Sequence, residues 1–223
     1  MSTATLEQPL QAPQPHASAV TPPVVALKRR TIDSILIGFG VVAMAAFAVA
    51  GGLLAWGNGF ASDYVTKELS SQNITFPSAE ALTEEGRTDL LEFAGQRLDT
   101  GVEAQGYASF INGHLANVAD GATYADLGAT ESAAKADVKA AVAAGDSQAK
   151  VDELQAKADG ITGQRNTLFK GETLRGLLLS AYAWSTVGMI AGFAAIGAFA
   201  AAVIMLVLVG LGVVHLRRTP KTA

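Results

Sequence analysis

Two long runs without charge divide the chain. The second, Leu177 to Leu216, reads LLLSAYAWSTVGMIAGFAAIGAFAAAVIMLVLVGLGVVHL and holds no Asp, Glu, Lys or Arg. A helix needs about 20 apolar residues to cross a bilayer core, so this run predicts a span that projects beyond it. The first, Ile35 to Trp56, exceeds the usual signal-peptide core of about 7–15 residues and is followed by a further span, which predicts an uncleaved anchor. Lys28, Arg29 and Arg30 precede the first run, and Arg217, Arg218 and Lys221 follow the second. Basic flanks mark cytoplasmic ends. The expected topology is a plasma (inner) membrane protein with two spans, both termini cytoplasmic and the central part extracytoplasmic.

Between the runs, apolar positions recur at helical rather than strand spacing. Leu90, Leu91, Ala94 and Leu98 predict a helix within Ser78–Leu98. Tyr107, Phe110, Ile111, Leu115 and Val118 predict another over Val102–Val118. Thr123 to Leu127 reads as a short turn or helix, and Ser132 to Ala144 as an alanine-rich helix ended by Gly145. Val151, Leu154, Ala158, Ile161, Arg165 and Leu168 form a short heptad stripe broken by Arg165, one arm of a helical hairpin. Gly160 and Gly163 are expected to loosen that arm, and Gly171 to mark a joint. Pro77 predicts a break at Phe76, and the helix of the first span is expected to run on to Leu69. The fold class is all-α: two transmembrane helices with an extracytoplasmic helical hairpin or bundle domain. Its divisions are a disordered cytoplasmic tail (1–29), transmembrane helix 1 (30–57), the extracytoplasmic domain (58–176), an interfacial collar with transmembrane helix 2 (177–216) and a cytoplasmic tail (217–223). The first tail holds five of the chain's seven prolines, a composition that buries no core.

Charge sharpens the topology. The overall −4 divides into −8 between Gly57 and Gly176 and +4 elsewhere, an acidic outside and basic inside that argue against nucleic acid as a partner. The absence of cysteine removes disulfides, thiolate metal sites and iron–sulfur clusters. Of three histidines only His114 lies between the spans. With acids such as Glu103 and Asp120 scattered around it, the expectation is a structural histidine and no metal or cofactor. Glu84 and Glu85 read as a solvated face. There is no GxSxG, GxxxxGK[ST] or GxGxxG, so no enzyme is expected. Asp33, beside the cations at the cytoplasmic edge, reads as a paired or helix-terminal charge.

The candidate site is a partner-binding one. Glu172 and Arg175 are spaced to pair on a helix just above the second span. Tyr182 and Trp184 follow, and oppose Trp56, Phe60 and Tyr64 as an aromatic belt. Gly188 and Gly192 have the small-xxx-small spacing that lets helices approach closely, either between the two spans or against another subunit. The stretch reads as a clamp joining domain to span, a docking surface for another membrane subunit, or both.

The combination of Ile74-Thr75-Phe76-Pro77, Tyr107-Ala108 with Phe110-Ile111 and His114-Leu115, Gly121 with Thr123-Tyr124, and the block Gly171 to Leu179 with Ala181-Tyr182 resembles a family of actinobacterial two-span membrane proteins over roughly residues 30–218. That family includes an accessory subunit of the mycobacterial respiratory supercomplex. The resemblance implies a non-redox accessory role among cytochrome bcc and aa3 oxidase components, stabilising their assembly in the lipid bilayer. Some relatives carry the label of an aromatic ring-opening dioxygenase. Such iron sites need two His and a carboxylate, and only His114 is on hand here. The alternative is a free-standing cell-envelope sensor or adaptor whose outer domain binds a ligand or envelope component.

Overall fold

The computed structural model describes residues 28–218. The tails read over 1–29 and 217–223 lie outside the described residues except at their edges, where Arg29 opens the first helix and Arg217 and Arg218 close the last. The described residues are predominantly helical, and among them the one β contact is an isolated antiparallel bridge, Thr75 to Arg97. Two helices dominate: α1, Arg29–Ser71, of 43 residues, and the carboxy-terminal helix, Gln148–Arg218, of 71 residues. Both are long and apolar enough to cross a membrane. Between them lie α2 (Ala79–Glu84), a 3₁₀ turn (Thr88–Phe93), α3 (Gly101–Ala116), a second 3₁₀ turn (Val118–Gly121) and α4 (Asp126–Ala144). The last helix is therefore α5.

The α-helix expected within Ser78–Leu98 from Leu90, Leu91, Ala94 and Leu98 does not form over those residues. Ser78 caps α2, accepting a hydrogen bond from the Ala81 amide at 3.3 Å. Gly86 and Gly95 then adopt left-handed φ values of 72° and 69°, a conformation that ends a right-handed helix. The chain returns extended; the Phe76 amide donates to the Gln96 carbonyl at 2.9 Å and the Leu98 amide to the Ile74 carbonyl at 3.0 Å. This clasp closes over the first core. Val65 and Leu69 of α1, Phe76, Leu98, Ala104 and Ala108 of α3, and Leu178 of α5 are all buried there. Thr100 and Glu103 start α3 with a reciprocal capping box, so the Glu103 carboxylate serves as a cap.

The Gly160, Gly163 and Gly171 breaks are also absent: α5 runs through all three. A glycine in a helix interior costs about 1 kcal/mol against alanine, which packing elsewhere along α5 offsets. Gly160 and Gly163 are open to solvent, with no neighbour within 4 Å of a would-be Cβ. Gly171 is a contact rather than a joint. A Cβ there would lie 2.4 Å from Leu115 Cδ2, and Leu115 is buried with Leu127 and Leu168. We expect opposite responses. Gly160→Ala should raise stability by about 0.5–1 kcal/mol, whereas Gly171→Leu should lower it by about 1–3 kcal/mol through overpacking. Thermal unfolding of the two purified variants compares them directly.

Candidate functional site

Where α1, α3 and α5 meet, a groove of about 610 Å³ opens. Its floor is apolar: Ile74, Tyr107, Ile111, Leu178 and Ala181. Its rims are Tyr64 on α1 and Leu174, Leu177 and Trp184 on α5, exposed by 53%, 53%, 64% and 54%. Glu68 and Gln72 add polarity along the α1 side. Large apolar side chains exposed together beside a concavity mark an interaction site. The α1 rim continues as a ladder one turn apart, Trp56 stacked on Phe60 at 5.7 Å and Phe60 on Tyr64 at 6.2 Å.

Of the six candidate residues, Trp184 alone lines this groove. Tyr182 is half-buried on another face of α5, where its Cα lies 3.4 Å from a would-be Cβ on Gly101 at the start of α3. Glu172 accepts a hydrogen bond from the Arg175 guanidinium at 2.9 Å on the α5 surface, with side chains 48% and 35% exposed. Exposed pairs of this kind contribute about 0–1 kcal/mol, so their role lies in what they present. Gly188 and Gly192 face α1. A Cβ on Gly188 would sit 2.9 Å from the Ala61 Cβ, and one on Gly192 would sit 2.9 Å from the Asn58 amide nitrogen. Asn58 Nδ2 donates to the Gly188 carbonyl at 2.7 Å. Of the two contacts that the small-residue spacing allows, the one between the long helices is made.

Asn58 and Glu131 were not singled out by the sequence. The Gly57-Asn58-Gly59 amide after an apolar run is the available signal for the first. For the second, the signal was Arg165, a cation on an apolar stripe that required a buried acid. Glu131, its side chain 9% exposed, accepts from Lys135 at 2.7 Å, Thr162 at 2.8 Å and Arg165 at 2.6 Å. Arg165 also lies 4.2 Å over the Tyr124 ring. Hydrogen bonds from Lys135, Thr162 and Arg165, in that order, hold the Glu131 carboxyl down at about 2. Around it the α4–α5 hairpin is packed on small side chains, Ala134, Ala141 and Ala158, with Leu127 meeting Leu168 at its membrane-side end, so this ion cluster is its main polar contact.

His114 lies 3.4 Å from Glu85 and meets Phe110 edge-on at 4.5 Å. Arg87 forks onto Asp89 at 3.0 and 2.8 Å and donates to the Ser109 carbonyl at 2.9 Å. That hydrogen bond to Arg87 holds the Asp89 carboxyl below its ordinary value. Among the described residues, no group of three or more His, Asp or Glu is placed to hold a metal ion.

The fold and its groove define a class: an all-α protein with two helices long and apolar enough to cross a membrane, carrying an exposed apolar collar at one end of their contact. No family model, curated protein or solved structure matches the chain.

Proposed function

We propose that this chain is a non-catalytic accessory subunit of a membrane assembly, the respiratory supercomplex of cytochrome bcc and aa3 oxidase, and that it stabilises that assembly. In this reading both termini are cytoplasmic and the helical domain is extracytoplasmic. The observation that carries it is the exposed apolar rim Tyr64, Leu174, Leu177 and Trp184 around a groove beside two apolar helices. Soluble domains seldom leave such a patch uncovered, and aromatic anchors in pockets dominate interface energies. The Glu172–Arg175 pair lies outside this groove, on the exposed surface of α5, and Tyr182 packs beside Gly101 at the start of α3. Gly188 and Gly192 act indirectly, by drawing α1 onto α5 and so setting the distance between the rims.

The test is affinity purification of the tagged chain from native membranes in mild detergent, followed by visible spectroscopy and subunit identification. Haem a and haem b bands with stoichiometric cytochrome subunits are expected. Leu177→Asp with Trp184→Ser should weaken that association roughly 30-fold, the loss of a ~2 kcal/mol anchor, while helical content is retained. A colourless eluate would reject the supercomplex reading.

A second reading is favoured by the groove itself. Its volume of about 610 Å³ and apolar floor fall within the usual range of ligand pockets. A cell-envelope sensor or adaptor would bind a small apolar ligand there and purify without cytochromes. Saturable ligand binding by the cytochrome-free chain would select this alternative.

A further inference from the structure

A different groove lies at the opposite end of the α1–α5 contact. It measures about 480 Å³, and at its floor Gly40 meets Val209 and Gly212 meets Ile37, where the two helices come close. Asp33 and His215 stand at its outer end, and Leu208 and Met205 lie deeper. Leu36 and Leu211 form the two rims, exposed by 63% and 62%. Helical periodicity extends each rim to an arginine. Arg29 precedes Leu36 by seven residues and Asp33 by four. Arg218 follows Leu211 by seven residues and His215 by three. Residues spaced three, four or seven apart share a helix face, which puts both arginines on the groove side of their helices, just beyond the residues that line it. Lys28 and Arg217 fall on other faces. Asp33, whose Oδ2 is buried without a hydrogen-bond partner among the described residues, offsets one charge; Arg30, three residues before it, adds another, so the arginines outnumber the carboxylate at this end of the groove.

From this charge complementarity we infer that the groove is a binding site for one anionic phospholipid. The phosphate would lie between Arg29 and Arg218, and an acyl chain would run about 10 Å along the Leu36–Leu208 channel. Basic pockets between membrane helices recognise acidic headgroups in this way, and guanidinium groups match phosphate geometry. The site depends on the two apolar helices lying in a bilayer and not on the identity of any protein partner.

The experiment is native mass spectrometry of the full chain released from detergent micelles doped equally with dioleoylphosphatidylglycerol and dioleoylphosphatidylcholine. One phosphatidylglycerol per chain is expected, retained over phosphatidylcholine by about tenfold or more. Arg29→Gln with Arg218→Gln should bring that preference to within about twofold. Lys28→Gln with Arg217→Gln removes the same formal charge from the other faces and should leave it intact. Equal retention of the two lipids by the wild-type chain would overturn the proposal, and needs no variant to fold. Equal loss in both double variants would overturn it too, by showing diffuse attraction to a basic helix end rather than a built site.

Discussion

Leu98→Ala is expected to destabilise the chain by about 2–5 kcal/mol, the cost of a buried leucine truncation that leaves a cavity. Leu98 is fully buried. It sits on the return strand of the clasp, where its amide donates to the Ile74 carbonyl at 3.0 Å. Its side chain belongs to the cluster that joins Val65 and Leu69 of α1 to Ala104 and Ala108 of α3 and Leu178 of α5. No helix supplies Leu98, so no helix propensity compensates for its loss. Ile74 and Tyr107, which pack on this cluster, also form the floor of the collar groove. The variant should therefore lose groove geometry together with stability. Thermal unfolding of the purified chain followed by circular dichroism measures the first effect. Quenching of the two tryptophans by an aqueous quencher reports the second through Trp184. An unchanged midpoint would mean that the clasp is dispensable.

Acid is expected to loosen the α4–α5 hairpin. The Glu131 carboxyl titrates at about 2 in the folded chain against an ordinary 4.5. A carboxyl whose folded value is depressed contributes stability above its unfolded value and loses it as pH falls through the folded one. The contribution is thus complete above about pH 4.5 and disappears progressively down to about pH 2. Asp126, held low by the Thr123 hydroxyl and amide, and Asp89, held low by Arg87, shift in the same direction. The difference between wild type and Glu131→Gln isolates the cluster. Glu131→Gln should unfold at lower temperature near neutral pH and approach the wild type as the solution is acidified. Amide exchange in Asp126–Ala144 and in the Gln148–Leu168 half of the hairpin should rise with it. Parallel pH profiles for the two proteins would show that Lys135, Thr162 and Arg165 do not hold the hairpin through this carboxylate.

Legibility along the chain follows the range of the interactions involved. The two long apolar runs, the break before Pro77, and the helix with apolar positions at Tyr107, Phe110, Ile111 and Leu115 were all visible, because each is a one-dimensional periodicity or a local backbone restriction. The helix expected over Ser78–Leu98 failed for a physical reason. Leu90, Leu91, Ala94 and Leu98 have helical spacing, yet Gly86 and Gly95 take positive φ and the backbone of Phe76 and Leu98 bonds to the opposite strand. Gly171 was misread in the other direction. Glycine in a helix signals flexibility only until a neighbour such as Leu115 occupies the space its missing side chain leaves.

By itself the sequence determined the all-α class, two helices able to cross a membrane and the acidic character of what lies between them. These depend on composition and period, which folding cannot change. It also brought out Tyr182, Trp184, Glu172 and Arg175, but not that Trp184 alone would line the groove. Only the tertiary structure decided that Gly188 and Gly192 meet Asn58 and Ala61, that Glu131 answers Arg165, and that Tyr64, Ile111 and Leu177 share one concavity. Each of these joins residues from 34 to 130 or more positions apart. Many acids and many small residues could have filled those places, and the choice among them was made by the register in which α1, α3 and α4 pack along α5.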